Sequence, residues 1–156
     1  MNTVVINEQT DLSIDESKVK PIVKLVLKCE QRKSDEVSIY FVSENEICRI
    51  HGEFFDDPSP TDCISFPMDK TEDTHHHILG EIFICPKAAI DYVLKDSEEV
   101  NQDPYRELTL YLVHGLLHLL GYRDEEDEAR KQMHALQNKY LALLIKKQLL
   151  LSVGKE

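Results

Sequence analysis

The sequence predicts a small α/β (α+β) protein, in which a mixed sheet of about four strands packs with about five helices. Its 156 residues are a typical length for one domain, so we expect residues 1–156 to form a single domain. Hydrophobic residues make up 42% and charged residues 30%, a balance that excludes wholesale disorder. Segments with the two-residue period of strands alternate with segments of helical spacing, which predicts a mixture of both elements.

The first part of the chain has two strand patterns and two helix patterns. Residues 1–6 contain a Val-Val-Ile run that is typical of a strand, and residues 36–43 alternate like a second strand. Between them, apolar side chains recur at helical spacing over residues 14–30, which predicts an amphipathic helix. Residues 44–54 predict a short helix, which a proline-rich turn must follow.

The middle of the chain predicts two neighbouring strands and a helix. Residues 63–67 and 78–85 are the strands, joined by a polar loop at residues 69–77 that contains three consecutive histidines and that we expect to be solvated. A proline suits the first turn of a helix, so residues 86–94 are predicted to be helical. The acidic residues 95–102 should form another loop.

Two further helices are predicted in the last third of the chain. Asp103 is a typical N-cap and Pro104 a typical first helical residue, so a helix should run from there through Leu120. Gly121 can end it by adopting a positive φ. Residues 125–153 place apolar side chains on one face and acids in the first turn, which predicts one long final helix. The order of the strands in the sheet does not follow from these patterns.

Charge and composition exclude several classes of protein. The 29 acidic and 18 basic residues give a formal charge of -11, which opposes nonspecific attraction to nucleic acid or anionic lipid. An RNA partner must then be bound at a local site, through a bound cation or a small basic patch. The densest basic region, residues 18–33, is interpreted either as a solvated face or as a surface that contacts phosphates.

The sequence also favours a cytoplasmic protein that makes no contact with a membrane. Its apolar stretches are far shorter than the roughly 18 residues of a membrane span, and its start lacks the pattern of a signal peptide. The four cysteines contain no C-x-x-C pair, which excludes a zinc ribbon. We expect all four to be buried as small hydrophobic side chains.

The residues with the clearest chemistry lie on the predicted helix that ends at Leu120. His114 and His118 are four residues apart, so both imidazoles can reach one metal ion from one face of a helix. The alternative is a pair of core histidines hydrogen-bonded to backbone or carboxylate groups. A bend at Gly121 could bring Asp124 to the same place, and two imidazoles, one carboxylate and water form an open zinc site. Asp124 could instead be the N-cap of the final helix.

Four segments resemble the motifs of one family. From His114 to Tyr122 the chain reads H-G-L-L-H-L-L-G-Y, which resembles the signature of the YbeY family of metal-dependent endoribonucleases and ribosomal RNA maturation factors. Residues 60–67 read P-T-D-C-I-S-F-P, similar to the family's P-T-D-V-L-S-F-P strand. Residues 79–82 and 133–137 are similar to its L-G-D-I and M-x-A-L-Q segments. The segments follow the family's order and extend over most of the chain.

The resemblance implies a small α/β domain with one Zn²⁺ per chain in a cleft at the H-x-x-x-H helix. The family usually has G-Y-D-H where this chain reads G-Y-R-D, so Asp124 stands in the place of the third histidine ligand beside His114 and His118. A carboxylate preserves such a site but should make the bound zinc a weaker Lewis acid. The family also usually has an arginine shortly before P-T-D, where this chain reads F-F-D-D at residues 54–57.

The resemblance further implies a zinc-dependent endoribonuclease that is specific for single strands and acts in ribosomal RNA maturation and ribosome quality control. Zinc would activate a water or hold the scissile phosphate. The expected partners are ribosomal RNA and the small ribosomal subunit or an associated assembly protein; the oligomeric state is not implied. Arg123 and His51 are the candidate catalytic residues, which would move protons or hold charge. Arg49 is a further candidate, and an exposed salt-bridging arginine is the alternative for both Arg49 and Arg123.

Two other functions compete with this one. A non-enzymatic ribosome assembly factor with a structural metal is favoured by the acidic charge and the missing arginine. A zinc metalloprotease would also place two histidines four apart, but such enzymes use H-E-x-x-H with the glutamate as general base. Gly115 takes the place of that glutamate, which argues against peptide hydrolysis.

Overall fold

The structure, a computed structural model, describes residues 1–68, 76–95 and 103–154 and is built on one mixed sheet. The strands are β1 (Asn2–Glu8), β2 (Glu36–Val42), β3 (Cys63–Pro67) and β4 (Ile78–Ile84). They lie in the order β1-β2-β4-β3, with β1, β2 and β4 parallel and β3 antiparallel to β4. The predicted fold class is confirmed, because a mixed sheet of four strands packs with five helices in the described part of the chain.

The helices are α1 (Val19–Cys29), α2 (Glu44–Phe55), α3 (Pro86–Lys95), α4 (Pro104–Leu119) and α5 (Asp127–Lys146). The predicted start of α4 is confirmed, since the Asp103 side chain accepts a hydrogen bond from the Tyr105 N–H and proline opens the helix. In the same way Ser43 caps α2 by accepting from the Glu46 N–H. Local side-chain chemistry therefore fixes where these two helices begin.

The predicted first helix starts later than residue 14. Asp15 accepts a hydrogen bond from the Ser17 N–H, and Glu16–Lys18 form a 3₁₀ turn ahead of α1. The prediction was too long here because the apolar Ile14 has the right spacing but lies before the cap.

The predicted final helix is also too long, since α5 begins at Asp127 and ends at Lys146 rather than near residue 153. Gln148 adopts a left-handed φ of 56°, and the Leu149 N–H then donates to the Leu144 carbonyl. The chain turns back so that Leu151 is buried and its N–H donates to Thr109 Oγ1 at 3.0 Å. The residues after α5 therefore pack against α4 instead of continuing the helix.

The predictions about the cysteines, the two polar loops and membrane spans compare with the structure as follows. Cys85 is buried and Cys48 and Cys63 are partly buried, but Cys29 is exposed, so the expectation of burial is wrong for it. Residues 69–75 and 96–102, which hold most of the two predicted loops and the first of the three consecutive histidines, lie outside the described residues. In the ranges that are described, no helix has the length and apolar character needed to cross a membrane.

Helix α4 is the central element, and it lies close against the sheet. Buried along it are Leu108, Leu112, Val113, Leu116 and Leu117. A Cβ atom added to Gly115 would meet Ile82 Cγ2 at 2.7 Å and Cys63 Sγ at 3.0 Å, so this approach requires glycine. Ser65 Oγ of β3 donates to the Gly115 carbonyl at 3.3 Å. This contact fixes the two histidines of α4 relative to β3.

Candidate metal centre

An open cleft of about 740 Å³ lies beside the C-terminal half of α4. Its walls come from β3, from the end of α2 and from the segment that follows α4. Among the residues that line it are His51, Phe55, Ser65, His114, His118 and Asp124. All three residues predicted to bind metal therefore face one cavity that is open to solvent.

The donor atoms of His114, His118 and Asp124 lie close together. The two Nε2 atoms are 3.0 Å apart, and Asp124 Oδ2 is 3.4 Å from His118 Nε2 and 3.8 Å from His114 Nε2. Zinc bonds of about 2.0–2.1 Å in a tetrahedral site separate neighbouring ligand atoms by roughly 3.4 Å, so the three donors have the spacing that one ion needs. Across the described ranges, this is the one group of three or more His, Cys, Asp or Glu side chains that could hold a metal ion.

The bend at Gly121 brings Asp124 to the two rings. Gly121 has a φ of 104°, its N–H donates to the His118 carbonyl at 3.0 Å, and the Tyr122 N–H donates to the Leu117 carbonyl at 3.0 Å. This pair of hydrogen bonds is the Schellman motif, which ends a helix and reverses the chain. The N-cap of α5 is Glu126, so the alternative interpretation of Asp124 as that cap is wrong.

Each imidazole is oriented by a hydrogen bond at its other ring nitrogen. His114 Nδ1 lies 3.0 Å from Gln137 Oε1, and His118 Nδ1 lies 3.1 Å from the Tyr122 carbonyl oxygen. These oxygens accept hydrogen bonds, so each Nδ1 carries the hydrogen and each Nε2 presents a lone pair. Two lone pairs and a carboxylate oxygen directed at one point repel one another unless a cation lies between them. The donor set therefore fits a divalent metal ion.

The surroundings of His118 favour the form of the ring that binds metal. Burial and, after it, the neighbouring His114 ring lower the pKa of His118, which keeps its imidazole neutral. Both histidine side chains nevertheless stay partly exposed, at 27% for His114 and 26% for His118. They line an open cleft, in contrast to the alternative of two histidines enclosed in the core.

The candidate catalytic residues are divided between the cleft and the outer surface. His51 and Arg123 line the cleft, and His51 Nδ1 is 2.8 Å from the Ser59 carbonyl oxygen. Arg49 is not among the lining residues. It forms ion pairs with Glu46 at 2.6 Å and Glu53 at 2.7 Å on the exposed side of α2, as the alternative interpretation expects.

Sequence reasoning missed three participants in this site. Gln137 belongs to the quoted M-H-A-L-Q segment, but the motif did not indicate its contact with His114. The Tyr122 backbone carbonyl carries no sequence signal at all. Phe55 lines the cleft from the F-F-D-D segment, and an aromatic residue at that position carries no sequence signal for a place beside a metal ion.

Comparisons with known proteins agree with the motifs. The family model described as Endoribonuclease YbeY matches residues 4–145. A protein named Endoribonuclease YbeY from Protochlamydia amoebophila is 56% identical over 121 residues, which cover 78% of each chain. A protein of the same name from Chlamydia abortus is 43% identical over 153 residues, covering 97% of this chain and 96% of the other. The solution structure of TM1509 from Thermotoga maritima matches with a TM-score of 0.57 and 31% identity, over 89% of this chain and 86% of that one.

Proposed function

The chain belongs to the Endoribonuclease YbeY family, and from this premise we propose that it is a zinc-dependent endoribonuclease that acts on single-stranded ribosomal RNA. Its expected role is maturation of ribosomal RNA and quality control of ribosomes. The observation that supports the metal dependence is the convergence of His114, His118 and Asp124 on one point of an open cleft.

The donor set favours zinc over magnesium and calcium. Two imidazole nitrogens and one carboxylate oxygen are a frequent three-residue set at catalytic zinc, whereas magnesium and calcium prefer oxygen ligands throughout. When bound, zinc would supply a positive charge for phosphate oxygens and ionise a water near neutral pH. One ion per chain suffices for the three donors.

His51 and Arg123 are the residues that we propose act beside the metal ligands. The Ser59 carbonyl accepts from His51 Nδ1, so the lone pair is on Nε2, where the ring can take up or give a proton. Arg123 is exposed and lines the cleft, where its guanidinium can bind a phosphate oxygen. Together they supply the proton carrier and the fixed positive charge that phosphodiester hydrolysis requires.

The proposed partners are ribosomal RNA and the small ribosomal subunit or an assembly protein bound to it. With a formal charge of -11, the chain repels RNA at long range, so binding must depend on contacts made inside the cleft. Attachment to a ribosomal particle would also raise the local concentration of the substrate.

A second candidate is a ribosome assembly factor that does not cleave RNA. It is favoured by residues 54–57, which contain no arginine, and by Arg49, whose guanidinium is occupied by two carboxylates. A metalloprotease is disfavoured by the packing of α4, because Gly115 faces Ile82 and Cys63 with no space for a glutamate side chain.

The decisive experiment compares His118→Ala with His134→Ala, a matched change at an exposed histidine of α5. The protein and both variants are loaded with zinc, and metal content and cleavage of single-stranded RNA are measured. We expect His118→Ala to lose both, and His134→Ala to keep both. Stoichiometric zinc in His118→Ala would contradict the ligand assignment.

The same experiment separates the two candidate functions. If the zinc-loaded protein binds ribosomal particles but leaves RNA intact at high protein concentration, the assembly role is supported and the endoribonuclease proposal is wrong.

A further inference from the structure

Two large aromatic side chains at the end of α2 are exposed, and one of them lies beside the proposed metal ligands. Phe54 is 60% exposed and Phe55 is 52% exposed, and Phe55 lines the cleft that also holds His114, His118 and Asp124. Exposure of an apolar ring to water is unfavourable, so rings that stay exposed at a cleft are candidates for contact with a ligand.

The Phe55 ring packs against other aromatic rings, which contact one another in series. Its centroid is 6.0 Å from that of Phe66, with an angle of 25° between the planes, and 5.9 Å from that of His51. Phe66 in turn contacts Phe83 edge-on at 5.8 Å, and Phe83 stacks on Tyr40 at 4.6 Å. Three rings of the sheet, those of Tyr40, Phe83 and Phe66, thus form a continuous series that supports Phe55.

The backbone below Phe55 is fixed as well. Asp56 ends α2 in a left-handed conformation with a φ of 55°, and its N–H donates to the His51 carbonyl. The Asp57 N–H donates to the same carbonyl at 3.3 Å. A ring held in this way loses little conformational entropy when a ligand covers it, which favours binding.

We propose that Phe55 is a stacking site for an unpaired nucleobase of the substrate RNA, an inference that rests on the proposed endoribonuclease function. Every base has a flat π face, so an aromatic side chain can bind single-stranded RNA without reading its sequence. A base within a double helix is already stacked and cannot cover the ring. Phe55 would then select single strands at the cleft.

The charge of the cleft supports stacking as the source of affinity. Arg123 is the one Lys or Arg side chain among the described residues that line it, whereas Asp62, Asp124 and Glu125 are all present. Phosphate contacts alone are therefore few, and a contact that does not depend on charge has to supply part of the binding. A protein partner could also cover an exposed ring, but the position of Phe55 inside the metal cleft favours a nucleotide.

The test measures binding of two RNA decamers that carry phosphorothioate linkages to slow cleavage. One has all its bases and the other has abasic sites at its centre, so both have the same charge. We expect the zinc-loaded wild-type chain to bind the first about tenfold more tightly, as one or two stacked bases would give. Phe55→Ala should reduce this ratio to about one, and Phe55→Tyr should retain it. Tyr92→Ala is the matched control, because Tyr92 is 47% exposed on α3 and does not line the cleft.

An unchanged ratio in Phe55→Ala would overturn the proposal, and it is also the result expected if a protein partner covers the ring. Cleavage of an unmodified decamer is followed in parallel. Cleavage by the wild type together with an unchanged ratio in Phe55→Ala would refute only the stacking site. A base preference that depends on Phe55, with no cleavage by the wild type, would support the stacking site and refute the proposed endoribonuclease function.

Discussion

At the residue scale, the two imidazoles proposed to bind metal are held by different parts of the molecule. His118 is oriented by the Tyr122 carbonyl in the turn that follows its own helix, whereas His114 depends on Gln137 of α5. Hydrogen bonds of this kind set the tautomer and direction of a metal-binding ring and raise its basicity. Gln137 is therefore a positioning residue for the proposed metal.

Replacing Gln137 by methionine should weaken zinc binding by about 10- to 100-fold, because the side chain keeps its length but no longer accepts from His114 Nδ1. The dissociation constant is measured by competition with a zinc chelator. Asn138→Ala provides the control, as Asn138 is the next residue along α5 and is exposed. Equal zinc affinity in both variants would show that the Gln137 contact does not orient His114.

The same residues show what could be predicted from the sequence. Helical spacing predicts that His114 and His118 lie side by side, and the glycine that can reverse the chain after α4 predicts that Asp124 approaches them. Both predictions are possible because they relate residues that are close together in the sequence. Gln137 lies 23 residues from His114, and its approach depends on how α5 packs on α4. Relations of that kind require the tertiary structure, since spacing along the chain does not encode them.

At the scale of elements, the close contact between α4 and the sheet holds the proposed metal ligands in place. Gly115 lies between His114 and His118 along the chain and contacts Ile82 of β4 and Cys63 of β3. Since Ile82 is fully buried, its side chain has no solvent into which it can move. Any side chain at residue 115 must then displace Ile82, Cys63 or α4 itself from its packed position.

We expect Gly115→Ala to lower the free energy of unfolding by about 1–3 kcal/mol, the usual cost of inserting a methyl group into a packed core. Urea denaturation of the metal-free protein measures this loss. Gly52→Ala on α2 is the control, since its added Cβ would meet Pro58 atoms at 3.4 Å or more, and alanine favours a helix over glycine. A Gly115→Ala protein as stable as the wild type would mean that α4 does not lie this close to the sheet.

Helices α1 and α5 are joined through Glu30, whose carboxylate accepts hydrogen bonds from the hydroxyl groups of Tyr122 and Tyr140. Burial, followed by the hydrogen bond to Glu30, raises the pKa of Tyr140. An unfolded tyrosine ionises near pH 10, so folded Tyr140 keeps its proton at a pH where the unfolded chain loses it. The stabilisation is therefore complete below about pH 10 and is lost as the pH rises above that value.

Tyr140→Phe should accordingly be less stable than the wild type by about 1 kcal/mol at pH 8, because it lacks the hydrogen bond. Its free energy of unfolding should also fall less steeply between pH 9 and pH 11. Urea denaturation at several pH values measures both effects, and the exposed Tyr92→Phe is the control. An equally steep alkaline fall in Tyr140→Phe would contradict the assignment.

The elements themselves were predicted with unequal success, and local chemistry explains the difference. The cap at Asp103 and the proline after it gave the start of α4, because a cap acts on its nearest neighbours. The end of α5 was missed because Gln148, a residue that rarely takes a left-handed conformation, reverses the chain there. The strand order β1-β2-β4-β3 places β4 between β2 and β3. The sequence did not predict this order, because the alternation of residues within one strand does not indicate which strands lie next to it.

At the scale of the whole molecule, the acidic charge limits how RNA can be bound. A formal charge of -11 opposes association, and in the described lining of the cleft Arg123 is the one side chain with a fixed positive charge, beside the charge that a bound zinc ion would add. Each phosphate that a protein neutralises on a single strand contributes about -0.7 to the slope of the logarithm of the binding constant against the logarithm of the salt concentration. RNA binding by this protein should therefore depend weakly on salt.

We expect a slope no steeper than about -2 for a single-stranded RNA decamer bound to the zinc-loaded protein, a value that corresponds to at most three neutralised phosphates. Arg123→Ala should make the slope shallower by about 0.7. Arg106→Ala is the control, because Arg106 is exposed on α4 and does not line the cleft. Titrations at several salt concentrations, followed by fluorescence anisotropy, give the slopes. A slope near -5 would require many more cationic contacts than the cleft can provide, and would indicate that the RNA also binds basic residues outside the cleft, such as the exposed Lys20, Lys24 and Lys28 of α1.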